Sequence, residues 1–202
     1  MIAAERFLAR SSDRDHWLFM RDLGVTATQV ARAATPSGFA EVIALIEEPR
    51  PVEVNDYMRW GVERESHIAG IVKERFGIMP NDWLIAKDAD LSRWQMATPD
   101  GLSLDHKWIG EYKTSGKPLD KIPIHYMRQV QWQLHVTGAE RCLFAYEERL
   151  NGPEGFVPGL DVTCQWVDRN EKMIRELVQV AEQLQQHRVY SDWAEMEGLG
   201  NV

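Results

Sequence analysis

The chain is short of cysteine, of basic charge and of long apolar runs, and each shortage removes a class of protein. Only Cys142 and Cys164 occur among 202 residues. Two thiols are too few for a Cys-rich zinc site or a four-thiolate iron–sulfur cluster, and a buried thiol pair is the ordinary expectation. No apolar run approaches the roughly 20 residues that cross a bilayer, so no membrane segment is expected. The first residues, MIAAERFLARSSDRDHW, carry charges where a signal peptide needs an unbroken apolar stretch. The expected location is the cytoplasm. Basic residues number 23 against 31 acidic, a net charge of −8. That sign argues against a surface that holds nucleic acid by phosphate contacts alone. It is compatible with clustered carboxylates whose charge a divalent cation neutralises.

What is present reads as one globular domain over residues 1–202, with 44% hydrophobic residues and no internal repeat or low-complexity stretch. Thr26 and Gln29 have capping-box spacing and open a helix through Val30 and Ala33, and Phe39 to Ile46 reads as a second helix. From Tyr57 to Phe76 the apolar positions Gly61, Ile68, Val72 and Phe76 recur on one helical face, with Gly77 as a stop. Trp83 to Ala86, Trp94 to Thr98, Lys107 to Lys113 and Cys142 to Tyr146 read as strands. Between the last two, Ile124 to Val136 has helical spacing and Gly138 ends it. Asp168 and Glu171 have capping-box-like spacing before a long amphipathic closing helix. The order predicts an α/β fold, a mixed central β-sheet flanked by helices.

The chemistry concentrates around one pattern. Asp100 follows Pro99 at the end of a predicted strand, and after a ten-residue gap Glu111, Tyr112 and Lys113 lie on the next. Residues i and i+2 of a strand share a side, so Glu111 and Lys113 project together, and a hairpin-like return brings Asp100 beside them. Two carboxylates and an ammonium on one patch suit a hard cation with oxygen ligands. A turn aspartate followed by a surface ion pair is the plainer alternative. Glu65 falls on the apolar face of the Tyr57 helix, where an ionised carboxylate is costly without a partner. A metal would supply one, as would a pair with Arg59 or Arg64. Gln129 and Gln133 stand one turn apart and are able to present amides to one ligand, or simply form a polar flank.

Five ordered blocks then give a resemblance. His16, Trp17, Arg21, Leu23 to Val25 and Thr26 to Thr28 form the first. Trp60 to Glu65, Ala97 to Leu102, Gly110 to Lys113 and Tyr126 to Gln131 form the rest. In order and spacing they resemble lambda exonuclease and the YqaJ-like viral recombinases of the PD-(D/E)xK nuclease superfamily, from about Trp17 to Tyr146. The resemblance implies a restriction-endonuclease-like core and a magnesium-dependent 5′-to-3′ deoxyribonuclease, with manganese as a substitute, acting on ends of linear double-stranded DNA. Asp100 and Glu111 match its metal carboxylates, with the Tyr112 carbonyl completing the first ion's ligands and Glu65 near the metals. Lys113 matches the catalytic lysine and Gln129 the helical glutamine that orders the site. Arg21 and Thr28 match a pocket for the 5′-phosphate. It further implies a phage or prophage origin, a single-strand annealing partner that takes the 3′ tails, and a ring-shaped trimer. After Lys113 the chain reads Thr-Ser-Gly rather than the Cys-Pro of lambda exonuclease. An endonuclease with the same core and a noncatalytic DNA-end scaffold are the rival readings.

Overall fold

In the computed structural model, which describes residues 1–51 and 53–196 and side chains through residue 189, helices come first. Strand β1 (Phe7–Arg10) leads into α1 (Arg14–Asp22), whose N-terminal amide at His16 donates to the Asp13 carboxylate. Strand β2 (Val25–Thr26) runs straight into α2 (Ala27–Ala33). The expected capping pair forms there, with the Thr26 amide and hydroxyl both donating to Gln29 Oε1 at 2.9 and 3.0 Å. Helix α3 (Pro36–Glu47) follows, its Gly38 amide donating to Thr35 Oγ1. Helix α4 (Asp56–Phe76) starts where the Met58 amide donates to Asn55 Oδ1. It stops at Gly77, whose φ of 70° is left-handed backbone that glycine adopts without a Cβ clash.

Strands then alternate with two further helices: β3 (Ile78–Pro80), β4 (Trp83–Ala86), β5 (Gln95–Ala97), β6 (Gly101–Ser103), β7 (Trp108–Ser115), α5 (Ile124–Thr137), β8 (Arg141–Gly152), β9 (Gly155–Asp168) and α6 (Glu171–Met196). They build two mixed sheets rather than the one expected: β1-β4-β5-β2, and β3-β6-β7-β8-β9. The second contains the parallel pair β7 and β8, joined by α5 as a crossover helix. Helix α4 covers one face of that sheet, where Ile68 and Val72 meet Tyr112, Leu143 and Ala145. Helix α5 covers the other, where Val130 and Leu134 meet Ile109, Cys142 and Phe144. On its far side Trp132 and Val136 pack with α2, α3 and α6. At its end, the side chains of Arg6, Lys87 and Arg169 donate to the carbonyls of Val136, His135 and Leu134, a basic collar where the helix dipole is negative.

Four expectations need correction. The strand preceding Asp100 belongs to the other sheet, and the hairpin partner of β7 is the three-residue β6. The cysteines are not a pair: both are free, and Cys142 packs on the α5 side of the sheet while Cys164 packs on the α4 side. Asp168 does not cap α6, because it pairs with Arg141 and the cap is Asn170, whose Oδ1 accepts from the Met173 amide. The apolar face of α4 is buried only from Ile68 onward, leaving Glu65 one turn earlier open to solvent. Among the described residues, no helix is long and apolar enough to cross a membrane.

Candidate active site

The β6–β7 hairpin fixes the geometry of the acidic cluster. Gly101 faces Gly110 and Leu102 faces Ile109, so Asp100 stands beside Glu111 by simple continuation of the register. The Asp100 amide donates to the Gly110 carbonyl at 2.9 Å, and the Tyr112 amide donates to Asp100 Oδ2 at 2.6 Å. Asn81 closes the other side, its amide donating to the Asp100 carbonyl and its side chain to the Pro99 carbonyl. Both paired glycines are required. A Cβ on Gly110 would lie 2.6 Å from the Tyr112 hydroxyl, and one on Gly101 would collide with the same group.

Glu111 is fully buried on the α5 face of the sheet. Gln129 Nε2 donates to its Oε1 at 2.6 Å, Gln133 Nε2 to its Oε2 at 2.7 Å, and Lys113 forms an ion pair with it. The two glutamines, one helical turn apart, therefore meet one ligand, and that ligand is Glu111 itself. The resemblance singles out Gln129, and the structure gives Gln133 an equivalent place on the other Glu111 oxygen.

Charge is left unbalanced. Burial, then the neighbouring Glu111 and Glu65, raise the Asp100 carboxyl well above the usual range, against the opposing pull of Lys113 and the Tyr112 amide. Glu65 is exposed as a residue, but the site packed around its carboxyl partly desolvates it and raises it, which Lys113 partly offsets and Glu111 reinforces. For Lys113, burial works against the ammonium, but Glu111 and Asp100 outweigh it and its pKa is raised. The arginines weighed as partners of Glu65 are engaged elsewhere. Arg59 pairs with Asp56, and Arg64 grips the buried Glu147 with two bonds of 2.7 Å. Three carboxylates thus share one ammonium. Asp100 Oδ1 accepts no hydrogen bond from the described residues, and the donors are all hard oxygens. The excess negative charge and this donor set fit a divalent cation. Among the described residues no three His, Cys, Asp or Glu side chains gather as a metal-holding group, so the fit rests on Asp100 and Glu111, with Glu111 saturated by its glutamines and lysine.

Two clefts flank the rib formed by Val62 and Glu65 of α4, which line both. One, of about 350 Å³, is lined by Arg21, Thr28, Thr98, Asp100 and Gln129 among others. The other, of about 480 Å³, is lined by Lys113, Tyr112, Tyr57, Tyr126 and Arg149. The first brings Arg21 and Thr28 into the same space as Asp100. The Arg21 guanidinium lies 4.2 Å from the Trp17 ring centre and has no hydrogen bond or ion pair among the described residues. Burial lowers its pKa, while Asp22 pulls it back and Arg14 adds to the lowering. Thr98 was missed in sequence, though it precedes Asp100 by two residues and an extended segment turns such a pair to one side. Arg149 was missed for want of any local signal.

Two mixed sheets with helices on their faces, and a carboxylate pair and lysine on one hairpin, define a restriction-endonuclease-like α/β protein. Residues 16–140, more than half of the chain, match the model of the YqaJ-like viral recombinase domain, and the chain belongs to that family. Its fold is similar to that of an alkaline exonuclease from Laribacter hongkongensis, at 21% identity over 91% of this chain and 97% of that one, with a TM-score of 0.70. The same enzyme in complex with dAMP matches with a TM-score of 0.65 at 22% identity, over 91% of this chain and 97% of that one. A phage-related exonuclease from Haemophilus somnus 129PT covers 86% of this chain and 96% of its own at 12% identity, with a TM-score of 0.63. A comparison with curated proteins gives no match.

Proposed function

We propose that this protein is a divalent-metal-dependent exonuclease that degrades linear double-stranded DNA from its 5′ ends and leaves 3′ single-stranded tails. The observation that carries the reading is the shared cleft. An arginine fork without a carboxylate partner and the Thr28 hydroxyl face the same space as the under-compensated Asp100 carboxylate. A guanidinium there suits a terminal phosphate, since its planar donors match phosphate oxygens.

Asp100, Glu111 and the Tyr112 carbonyl would hold magnesium, or manganese in its place, with Glu65 beside them or holding metal-bound waters. The ion supplies charge for the scissile phosphate and lowers the pKa of a water. The chain's own residues do the rest. Gln129 and Gln133 hold both Glu111 oxygens in place, and Lys113, which its carboxylate neighbours keep as an ammonium, orients the attacking water. Arg21 and Thr28 seat the 5′-phosphate, so the phosphodiester at the carboxylates is the one that follows the terminal nucleotide. Water oxygen adds to phosphorus, the 3′ oxygen of that nucleotide leaves, and a nucleoside 5′-monophosphate is released. The relative solved with dAMP supports a nucleotide-sized product.

The same reading gives a phage or prophage origin, a bacterial cytoplasmic setting, one catalytic unit spanning the chain, a ring-shaped trimer around DNA, and an annealing protein that takes the 3′ tail. The test is digestion in magnesium of linear duplexes with 5′-phosphate or 5′-hydroxyl ends and of a closed circle. The phosphorylated duplex is expected to be degraded fastest and the circle to survive. Cleavage of the circle would establish the endonuclease reading instead, and binding without cleavage of any substrate the scaffold reading.

A further inference from the structure

The second cleft has an arginine of its own. The Arg149 guanidinium lies 4.5 Å from the centre of the Tyr57 ring and 4.8 Å from that of Phe156. Those rings stack on each other at 5.2 Å. Among the described residues Arg149 has neither a carboxylate partner nor a hydrogen bond, although acids outnumber bases in this chain. Neighbouring Arg59 and Arg64 are both engaged with acids. Arg149 stands where the β8–β9 register shifts, between Glu147 and Arg149. Such an irregularity re-aims a side chain out of the regular pleat. The fork lies against two rings and lines a cleft that also contains Lys113 and Glu65.

The setting parallels that of Arg21. Each guanidinium rests on an aromatic ring, which occupies its face and leaves its N–H edge available for a planar anion. Each lines a cleft on one side of the Val62 and Glu65 rib, with Asp100 on the wall of the first cleft and Lys113 on the wall of the second. If one cleft takes the 5′-terminal nucleotide, the strand beyond the cut has the other open to it. Tyr57, 57% exposed, adds an aromatic surface of the kind on which bases stack.

We propose that Arg149 grips a backbone phosphate of the cleaved strand on the 3′ side of the cut, so that one guanidinium holds the strand on each side of the carboxylates. The assignment rests on the nuclease reading and extends it from the DNA end to the strand that follows. Arg149 is thus a positioning residue, acting on the register of the strand.

The experiment is a binding cycle in an Asp100→Ala background, which keeps the DNA intact. A 5′-phosphorylated duplex carries a neutral methylphosphonate at one position at a time, and affinity is read by fluorescence anisotropy with and without Arg149→Met. Methionine keeps an aliphatic stem beside the two rings and removes the fork. Neutralising one phosphate 3′ of the cut is expected to weaken binding about tenfold when Arg149 is present, the scale of a charge-assisted bond, and to cost nothing in Arg149→Met. Equal losses at every position in both proteins would mean a merely structural arginine and overturn the inference. Coupling of Arg21→Ala to the terminal phosphate with none for Arg149 would overturn it while leaving the nuclease reading standing. Failure of the parental protein to bind the duplex at all would overturn both.

Discussion

At the scale of single residues, Asp100 and Glu111 carry the same kind of charge in opposite circumstances. Glu111 accepts from two glutamine amides and a lysine, so Glu111→Ala strands the buried Gln133 amide and two half-buried donors. Asp100 is held by one amide and crowded by its acidic neighbours, so its loss relieves repulsion. Both substitutions should abolish hydrolysis, but thermal melts should separate them. Glu111→Ala is expected to lose about 3 kcal/mol, the scale for removing one partner of a buried ion pair, and Asp100→Ala close to nothing. Equal melting temperatures would contradict the hydrogen-bond pattern. Arg21→Ala should leave the melt and metal binding by calorimetry unchanged and erase the preference for 5′-phosphate over 5′-hydroxyl ends. A full preference retained in that variant would remove Arg21 from end recognition. The chemistry-bearing residues were legible because the period-2 rule puts Glu111 and Lys113 on one side of any strand. The conversion of Gln129 and Gln133 into clamps on Glu111 was not, since only the crossover from β7 to β8 sets α5 over that face.

At the scale of elements, long periodic helices were readable and short or interrupted strands were not. Helix α4 matches its expected span because apolar spacing and a left-handed glycine stop agree. Strand β9 escaped because Pro158 and Gly159 look like breakers. Pro158 is tolerated there because β9 is an edge strand, opposite a register shift in β8. Strands β3 and β6, three residues each, carry too little pattern to be seen. The C-terminal end of α5 gives a pH-dependent prediction. Burial, then Lys87 and Arg169, lower His135 to about 4 from 6.5, with Glu171 opposing, and its Nε2 lies 2.7 Å from Gln95 Oε1. As pH falls from about 6.5 towards 4, the unfolded chain takes up a proton that the folded chain refuses, so stability falls over that window. Above 6.5 the group contributes no slope. Denaturant midpoints measured across the window should decline less steeply in His135→Gln than in wild type, and parallel curves would show that His135 is not held neutral.

At the scale of the whole molecule, the net charge of −8 runs against the proposed action on DNA until its distribution is considered. About half of the bases are engaged by carboxylates or helix carbonyls, and two forks without such partners among the described residues, Arg21 and Arg149, line the clefts on either side of the Val62 and Glu65 rib. That division could not be read from composition, which sums over surface and site alike. The proposed ring adds a prediction in solution: sedimentation equilibrium should give a mass three times that of the chain, and a monomer at working concentrations would leave the acidic exterior without that account. The central claim is that hydrolysis starts at 5′-phosphorylated ends on the Asp100, Glu111 and Lys113 cluster. Single-turnover digestion of a 5′-phosphorylated duplex tests it most directly, with radiolabel placed at the 5′ or 3′ end of one strand and wild type compared with Asp100→Ala. The 5′ label should appear first, as mononucleotide, in wild type alone. Early release of the 3′ label, internal fragments, or wild-type digestion by Asp100→Ala would contradict it.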